Sequence, residues 1–166
     1  KRPGTTTSID KHQIAQGLFL VDMPGYGRKV DASRRWESET KDRILGFIES
    51  EAKNIALTIH VVNITTFLET EARLAKKGFI SLDVEMVGYL HDTLGEFPLV
   101  AANKIDKGSE DEVAANLEAF LDRVTGGAPH DAAGYVFPVS AKYDVGIGPL
   151  KERFFKTLVA KGFRNP

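Results

Sequence analysis

The chain has 166 residues, 42% of them hydrophobic and 27% charged, with a formal net charge of -1. That length suits one domain able to bury a core, and the charge excludes a globally basic nucleic-acid binder while leaving room for a local basic face. The absence of cysteine excludes disulfides and thiolate metal sites and suits a reducing cytosol.

No apolar run approaches the ~18 residues that suggest a membrane span. The opening Lys1-Arg2-Pro3-Gly4-Thr5-Thr6-Thr7 is polar and unlike a signal peptide. It begins on Lys rather than Met, so residue 1 is not expected to be the natural start.

Thr5 to Gln13 reads as an extended segment. Leu18-Phe19-Leu20-Val21 is a continuous apolar run, the pattern of a buried strand, and Asp22-Met23-Pro24-Gly25-Tyr26-Gly27 breaks it into a loop. Trp36, Ile44, Phe47, Ile48 and Ile55 recur at mostly helical spacing between Ser33 and Asn54. Ala56 to Ile64 is rich in β-branched residues and reads as a strand. Leu68 to Lys77 predicts a short helix, and Ser81 to Leu94 a second one with Val84, Val87 and Leu90 inward.

Phe97 to Ala102 predicts a strand that ends at Asn103-Lys104-Ile105-Asp106. Ser109 and Glu112 have capping-box spacing, and Val113, Leu117, Phe120 and Val124 follow at helical spacing until Gly126-Gly127. Tyr135 to Val139 predicts a strand leading into Ser140-Ala141-Lys142. Pro149 suits the first turn of a last helix carrying Leu150, Phe154 and Leu158. Alternating strands and helices predict an α/β domain, a mostly parallel sheet with helices on both faces. No repeat, low-complexity tract or linker interrupts residues 1–166, which read as a single domain.

Ligands of open α/β sheets bind beyond the carboxyl ends of the strands. Asp22-Met23-Pro24-Gly25, Asn103-Lys104-Ile105-Asp106 and Ser140-Ala141-Lys142 all follow predicted strands, in the order of the G-domain motifs of GTPases. With Arg2-Pro3-Gly4-Thr5-Thr6 ahead of them, the set resembles the EngB (YihA) family of ribosome-assembly GTPases. Ala52-Lys53-Asn54-Ile55 and Ser81-Leu82-Asp83-Val84-Glu85 resemble its archaeal branch. The resemblance implies a P-loop NTPase-like G domain that binds GTP and GDP with magnesium. It also implies a GTP-driven switch in large-subunit ribosome assembly, a link to cell division and septation, ribosomal RNA as partner, and a cytoplasmic monomer.

The residues suit that chemistry. The Asp106 carboxylate can accept two hydrogen bonds from guanine, from N1–H and the exocyclic amine; adenine would leave a buried Asp unpaired. The Asn103 amide can donate and accept, the stems of Lys104 and Lys142 can cover the base faces, and the Ala141 N–H can meet O6. Asp22 can orient magnesium through water, and Gly25 lets its N–H approach a γ-phosphate. The resemblance makes Thr6 the switch threonine that closes on magnesium and γ-phosphate.

Two departures stand out. Many GTPases place a water-orienting Gln directly after Asp-x-x-Gly, where this chain has Tyr26. Slow intrinsic hydrolysis is therefore expected unless a partner or a potassium ion supplies charge. The Gly-x-x-x-x-Gly-Lys-Ser/Thr phosphate loop is absent as well, since the chain has no Gly-Lys dipeptide.

The expectation is a G domain lacking its N-terminal strand, phosphate loop and first helix. The lost strand would be central, so the strands near Leu18–Val21 and Ala56–Ile64 would present unpaired edges. Residues 1–166 alone would then be poorly stable and would bind GTP weakly or not at all. One alternative is a non-catalytic remnant or pseudo-GTPase that binds RNA or protein. Another, an ATP-using relative, is opposed by Asp106.

Other residues read more plainly. His60 fits a packed or edge histidine, Trp36 fits the core, and His12, His91 and His130 show no metal pattern. Arg28, Lys29, Arg34 and Arg35 form one basic cluster, and Lys151, Arg153, Lys156, Lys161 and Arg164 another. A solvated charged face is the first reading of both, and phosphate contact with RNA the alternative.

Overall fold

A computed structural model describes residues 8–25, 34–128 and 132–163, with side chains of the first helix described from Ser38 onward. Thr6, Tyr26, Arg28, Lys29, His130 and Arg164 lie outside the described residues, as do the side chains of Arg34, Arg35 and Trp36. The chain forms two units, residues 1–55 with 163–166 and residues 56–162.

In the first unit β1 (Asp10–Ala15) pairs antiparallel with β2 (Leu18–Asp22). Gly17 at φ 73° makes the tight turn, a conformation that glycine adopts at low cost. β2 departs from the buried strand expected of it. Leu18 is buried, but Phe19 and Leu20 are exposed, because a two-stranded ribbon with one partner on one edge does not cover both faces. α1 (Arg34–Glu51) follows, with Thr40, Ile44 and Ile48 buried at helical spacing. Lys11 of β1 lies 3.7 Å from Glu51 and packs over the Phe47 ring.

The second unit is a three-stranded parallel sheet in the order β3 (Ile59–Asn63), β4 (Leu99–Asn103), β5 (Val136–Val139). Leu99, Val100, Ala101 and Ala102 of the central β4 are all buried. A strand covered on both faces must read as a continuous apolar run, and this one does. α2 (Phe67–Ala75), α3 (Leu82–Leu94) and α4 (Glu110–Thr125) cover one face. Phe67, Val87 and Phe120 pack there with Val62, Val100, Ala102 and Val136. α5 (Ile147–Ala160) covers the other, with Leu150 on Leu99, Ala101 and Val139.

Two helix ends form as their residues require. Ser109 and Glu112 complete a capping box, and Gly126 ends α4 in the left-handed conformation. In α3 the inward set is Met86, Val87 and Leu90, with Val84 only partly buried.

Among the described residues, β3 is hydrogen-bonded only to β4, and β2 only to β1. On β3 the consequence is visible in the side chains. Ile59 and Val61 stand in register with Leu99 and Ala101, on the face that α5 covers further along the sheet, yet they are 41% and 60% exposed.

Candidate functional site: the loops at the carboxyl ends of β3, β4 and β5

The parallel register brings the strand ends level. Asn63 pairs with Asn103, and Asn103 with Val139. The chain leaves β4 through Lys104, held at φ 73°, into a 3-10 turn of Ile105–Lys107. A left-handed non-glycine residue is sterically costly, and the Lys104 N–H offsets part of that by donating to Asn103 Oδ1 at 2.7 Å.

After β5, Ser140 and Val145 exchange backbone hydrogen bonds of 2.9 and 3.1 Å, closing residues 140–145 into a tight turn. Gly146 follows at φ 73°, and a Cβ there would fall 2.1 Å from the Pro138 carbonyl oxygen.

Two side chains tie these loops together. Asn103 Oδ1 also accepts from the Ala141 N–H at 3.0 Å. The Ser140 hydroxyl donates to Asp106 Oδ1 at 2.7 Å, and Ser140 is 1% exposed. That hydrogen bond is the main reason the Asp106 carboxyl lies below its usual range, with the Lys107 and Lys142 charges adding to it. Asp106 is thus held ionised. It is exposed rather than buried, which corrects the expectation of a buried Asp: the strand-end turn carries it outward. Lys142 is exposed, its amine 2.6 Å from the Tyr143 hydroxyl and over that ring.

The structure therefore brings Asn103, Lys104, Asp106, Ser140, Ala141 and Lys142 to one end of the sheet. Asp22 and Gly25 belong to the first unit. Asp22 is exposed at the end of β2, opposite Asp10, and a Cβ on Gly25 would meet no protein atom within 4 Å.

Sequence reasoning did not single out Asn63. Its Oδ1 accepts from the Thr65 hydroxyl and its Nδ2 donates to the Thr66 hydroxyl, which shapes the loop beside Asn103. An Asn at a strand end with Thr-Thr two residues on is a readable turn signal.

His60 is 6% exposed, with Nε2 3.0 Å from Asp83 Oδ1, a packed histidine on an edge strand. Of the basic residues of α5, Lys156 pairs with Glu152 and Arg153 lies over the Tyr135 ring, and Lys161 just after the helix pairs with Glu96. Among the described residues, no helix is long and apolar enough to cross a membrane.

The same architecture occurs in a solved structure titled "Crystal structure of a probable GTP-binding protein engB". It shares 30% identity and a TM-score of 0.83 over 93% of this chain and 83% of that one. The fold is that of a G domain. Three archaeal proteins, each named "Probable GTP-binding protein EngB", match nearly the whole chain. The one from Methanopyrus kandleri is 36% identical over 164 residues, 98% of this chain and 80% of its own. That from Archaeoglobus fulgidus is 32% identical, covering 99% of this chain and 81% of its own. That from Pyrococcus horikoshii is 34% identical, covering 95% and 71%. The chain belongs to the EngB family of GTP-binding proteins. No protein-family model matches it.

Proposed function

We propose that the loops at Asn103–Asp106 and Ser140–Lys142 read the guanine base of GTP or GDP in a GTP-hydrolysing switch. The observation that carries this is the pair of ties between the loops, Asn103 Oδ1 to the Ala141 N–H and the Ser140 hydroxyl to Asp106 Oδ1. They hold an ionised carboxylate and a free-standing loop in one geometry before a ligand arrives, and such preorganisation lowers the ordering cost of binding. The Asp106 carboxylate, with Oδ2 and a remaining lone pair on Oδ1, is left to accept from the two guanine donors, and Asn103 Nδ2 is left to donate to the base edge, since Asn103 Oδ1 accepts from the Lys104 and Ala141 N–H groups. Guanine itself covers the exposed Asp106, so discrimination arises on binding.

Thr6, Asp22 and Gly25 form the phosphate-side half of the reading. A single exposed carboxylate such as Asp22 suits magnesium held through water, since that ion keeps several of its own waters. By the resemblance Thr6 would be a second residue to hold it, and magnesium would supply charge neutralisation on the phosphates, with a potassium ion the other group that could supply charge. No Gly-x-x-x-x-Gly-Lys-Ser/Thr phosphate loop occurs in these 166 residues, so the reading rests chiefly on the base-side loops. The switch acts on ribosomal large-subunit assembly through ribosomal RNA, as a monomer in the cytoplasm, with septation as a downstream effect.

The test is base preference at millimolar nucleotide. Line broadening in NMR should favour GDP over ADP, and Asp106→Asn should move the preference toward the xanthine nucleotide. Equal broadening by both bases sinks the guanine reading. The rival, a pseudo-GTPase binding module, draws on the missing Gly-Lys dipeptide. It gains if neither nucleotide binds even when the 166 residues are expressed with any preceding coding sequence.

A further inference from the structure

The ties to Ala141 and Ser140 hold the Asn103–Asp106 loop from the side of β5. Because β4 is the central strand, its loop has a second neighbour on the side of β3. That neighbour is the 3-10 turn Ile64–Thr66, entered through Asn63, which stands level with Asn103.

The loop leaves the site through Gly108, extended at φ -127°. A Cβ there would lie 3.4 Å from Glu112 Oε2 and 3.5 Å from Thr65 Cγ2. Gly108 therefore runs between the capping box of α4 and the Thr65 methyl.

Asn63 aims that methyl. The Thr65 hydroxyl donates to Asn63 Oδ1 at 3.0 Å, and Asn63 Nδ2 donates to the Thr66 hydroxyl at 3.1 Å. The hydroxyl and methyl of a threonine share one Cβ, and branching there leaves few rotamers. Fixing the hydroxyl on Asn63 thus fixes where the methyl points.

The turn is anchored from below. Ile64 is 0% exposed and packs in the core with Phe67. Thr66 gives α2 no side-chain cap, and the Leu68 N–H is taken instead by Asn116 Oδ1 of α4 at 2.9 Å. First-turn N–H groups need such a partner. Asn116 is buried, and its Nδ2 donates to the Glu112 carbonyl at 2.7 Å. The turn after β3 and the first turns of α4 form one hydrogen-bonded body around the end of the base-reading loop.

We infer that Asn63 and Thr65 are positioning residues of the base-reading site. Asn63 orients Thr65, and the Thr65 methyl, with Glu112 opposite, holds the Asp106–Gly108 end of the loop in the geometry that accepts the base. The role rests on the guanine reading proposed above. Both residues act through the loop and before binding, by removing freedom that the loop would otherwise lose when the base arrives.

The experiment uses the 166-residue chain and two NMR readouts: backbone order parameters and a GDP titration. Thr65→Ser keeps the hydroxyl and removes the methyl. Asn63→Ala keeps the methyl and removes the group that aims it. Each should lower the order parameters of Asp106, Lys107 and Gly108 and leave those of Val62 and Ala102 unchanged. Each should weaken GDP binding roughly three- to ten-fold, the scale of ordering a loop on binding rather than beforehand. Thr65→Val has the outline of threonine and keeps a methyl toward Gly108, so it should restore both readouts.

A lower melting temperature with loop order and GDP affinity intact would make the turn structural only and overturns the inference. Weaker GDP binding with loop order intact overturns it too, because the residues would then act on the ligand directly. A wild-type chain that shows no response to GDP sinks the base reading instead. Loop order in Thr65→Ser still decides the positioning role in that case, and unchanged order overturns it.

Discussion

The Ser140 hydroxyl donates to Asp106 Oδ1 at 2.7 Å, joining two strand-end loops 34 residues apart in sequence. Both carrier loops leave a parallel sheet at the same end, so one short hydrogen bond fixes their spacing. It also sets the ionisation of Asp106, because a hydrogen bond to the charged form favours that form.

Ser140→Ala should therefore raise the Asp106 carboxyl pKa toward its ordinary value. The folded pKa is depressed, so its contribution to stability is present above the unfolded value and lost as pH falls through the folded one. Asp106 is exposed, so the titration of its carboxyl carbon by NMR is the readout rather than overall stability. An unchanged titration would show that the nearby lysines, not Ser140, set the charge.

The α4 capping box carries a second pH dependence. Glu112 lies below its usual pKa because it accepts first from the Ser109 N–H and then from the Ser109 hydroxyl. The sign is the same: the stabilisation is present above the unfolded glutamate pKa and fades as pH drops through the lower folded value. Ser109→Ala should cost about 0.5–2 kcal/mol at neutral pH. In Glu112→Gln the acid-side loss of stability should be smaller than in wild type. Urea melts of the proteins at neutral and acid pH check both.

Glu71 and Arg123 should not be equivalent. Their contact is 3.0 Å, but the Arg123 side chain is 55% exposed while that of Glu71 is 10% exposed. Arg123→Ala removes a pair open to water and should cost less than about 1 kcal/mol. Glu71→Ala also strands the N–H of buried Ser81, which costs about 1–3 kcal/mol in itself. Amide exchange at Ser81 should accelerate in Glu71→Ala alone. Equal destabilisation by both variants would place the energy in the ion pair instead.

The strand–helix alternation was legible because its signals are local. Leu99–Ala102 is a run long enough only for a buried strand, and Ser109, Glu112 and Gly126 punctuate α4 within a few residues. The loops at Asn103 and Ser140 were legible for the same reason, as short motifs after such strands. What stayed hidden depends on partners far along the chain. Phe19 and Leu20 read as core but lie on a two-stranded ribbon, and nothing in Leu18–Val21 says how many strands flank it. Nothing in the sequence singles out Glu71, which Arg123, 52 positions away by numbering, and Ser81 make a buried anchor. Thr6 lies outside the described residues, so its switch role rests on the family resemblance alone.

Gly146 should be the least replaceable residue of the 140–146 turn. Its φ of 73° is strained for any residue with a Cβ, and that Cβ would lie 2.1 Å from the Pro138 carbonyl oxygen. The obstacle is backbone of β5, not the end of a flexible side chain, so relief requires moving the strand or the turn. The left-handed conformation costs roughly 1–2 kcal/mol, and overpacking adds about 1–3 kcal/mol. Gly146→Ala should thus destabilise the second unit by about 2–5 kcal/mol on those two scales.

Gly148, two residues on within α5, has an ordinary φ, and a Cβ there would meet no atom within 4 Å. Gly148→Ala should stabilise by about 0.5–1 kcal/mol, the helix preference of alanine over glycine. Opposite signs in thermal melts of the two variants would confirm that conformation and the Pro138 contact, not glycine content, hold the turn. In Gly146→Ala the Ala141 N–H should also lose protection from exchange, because shifting the turn breaks its hydrogen bond to Asn103.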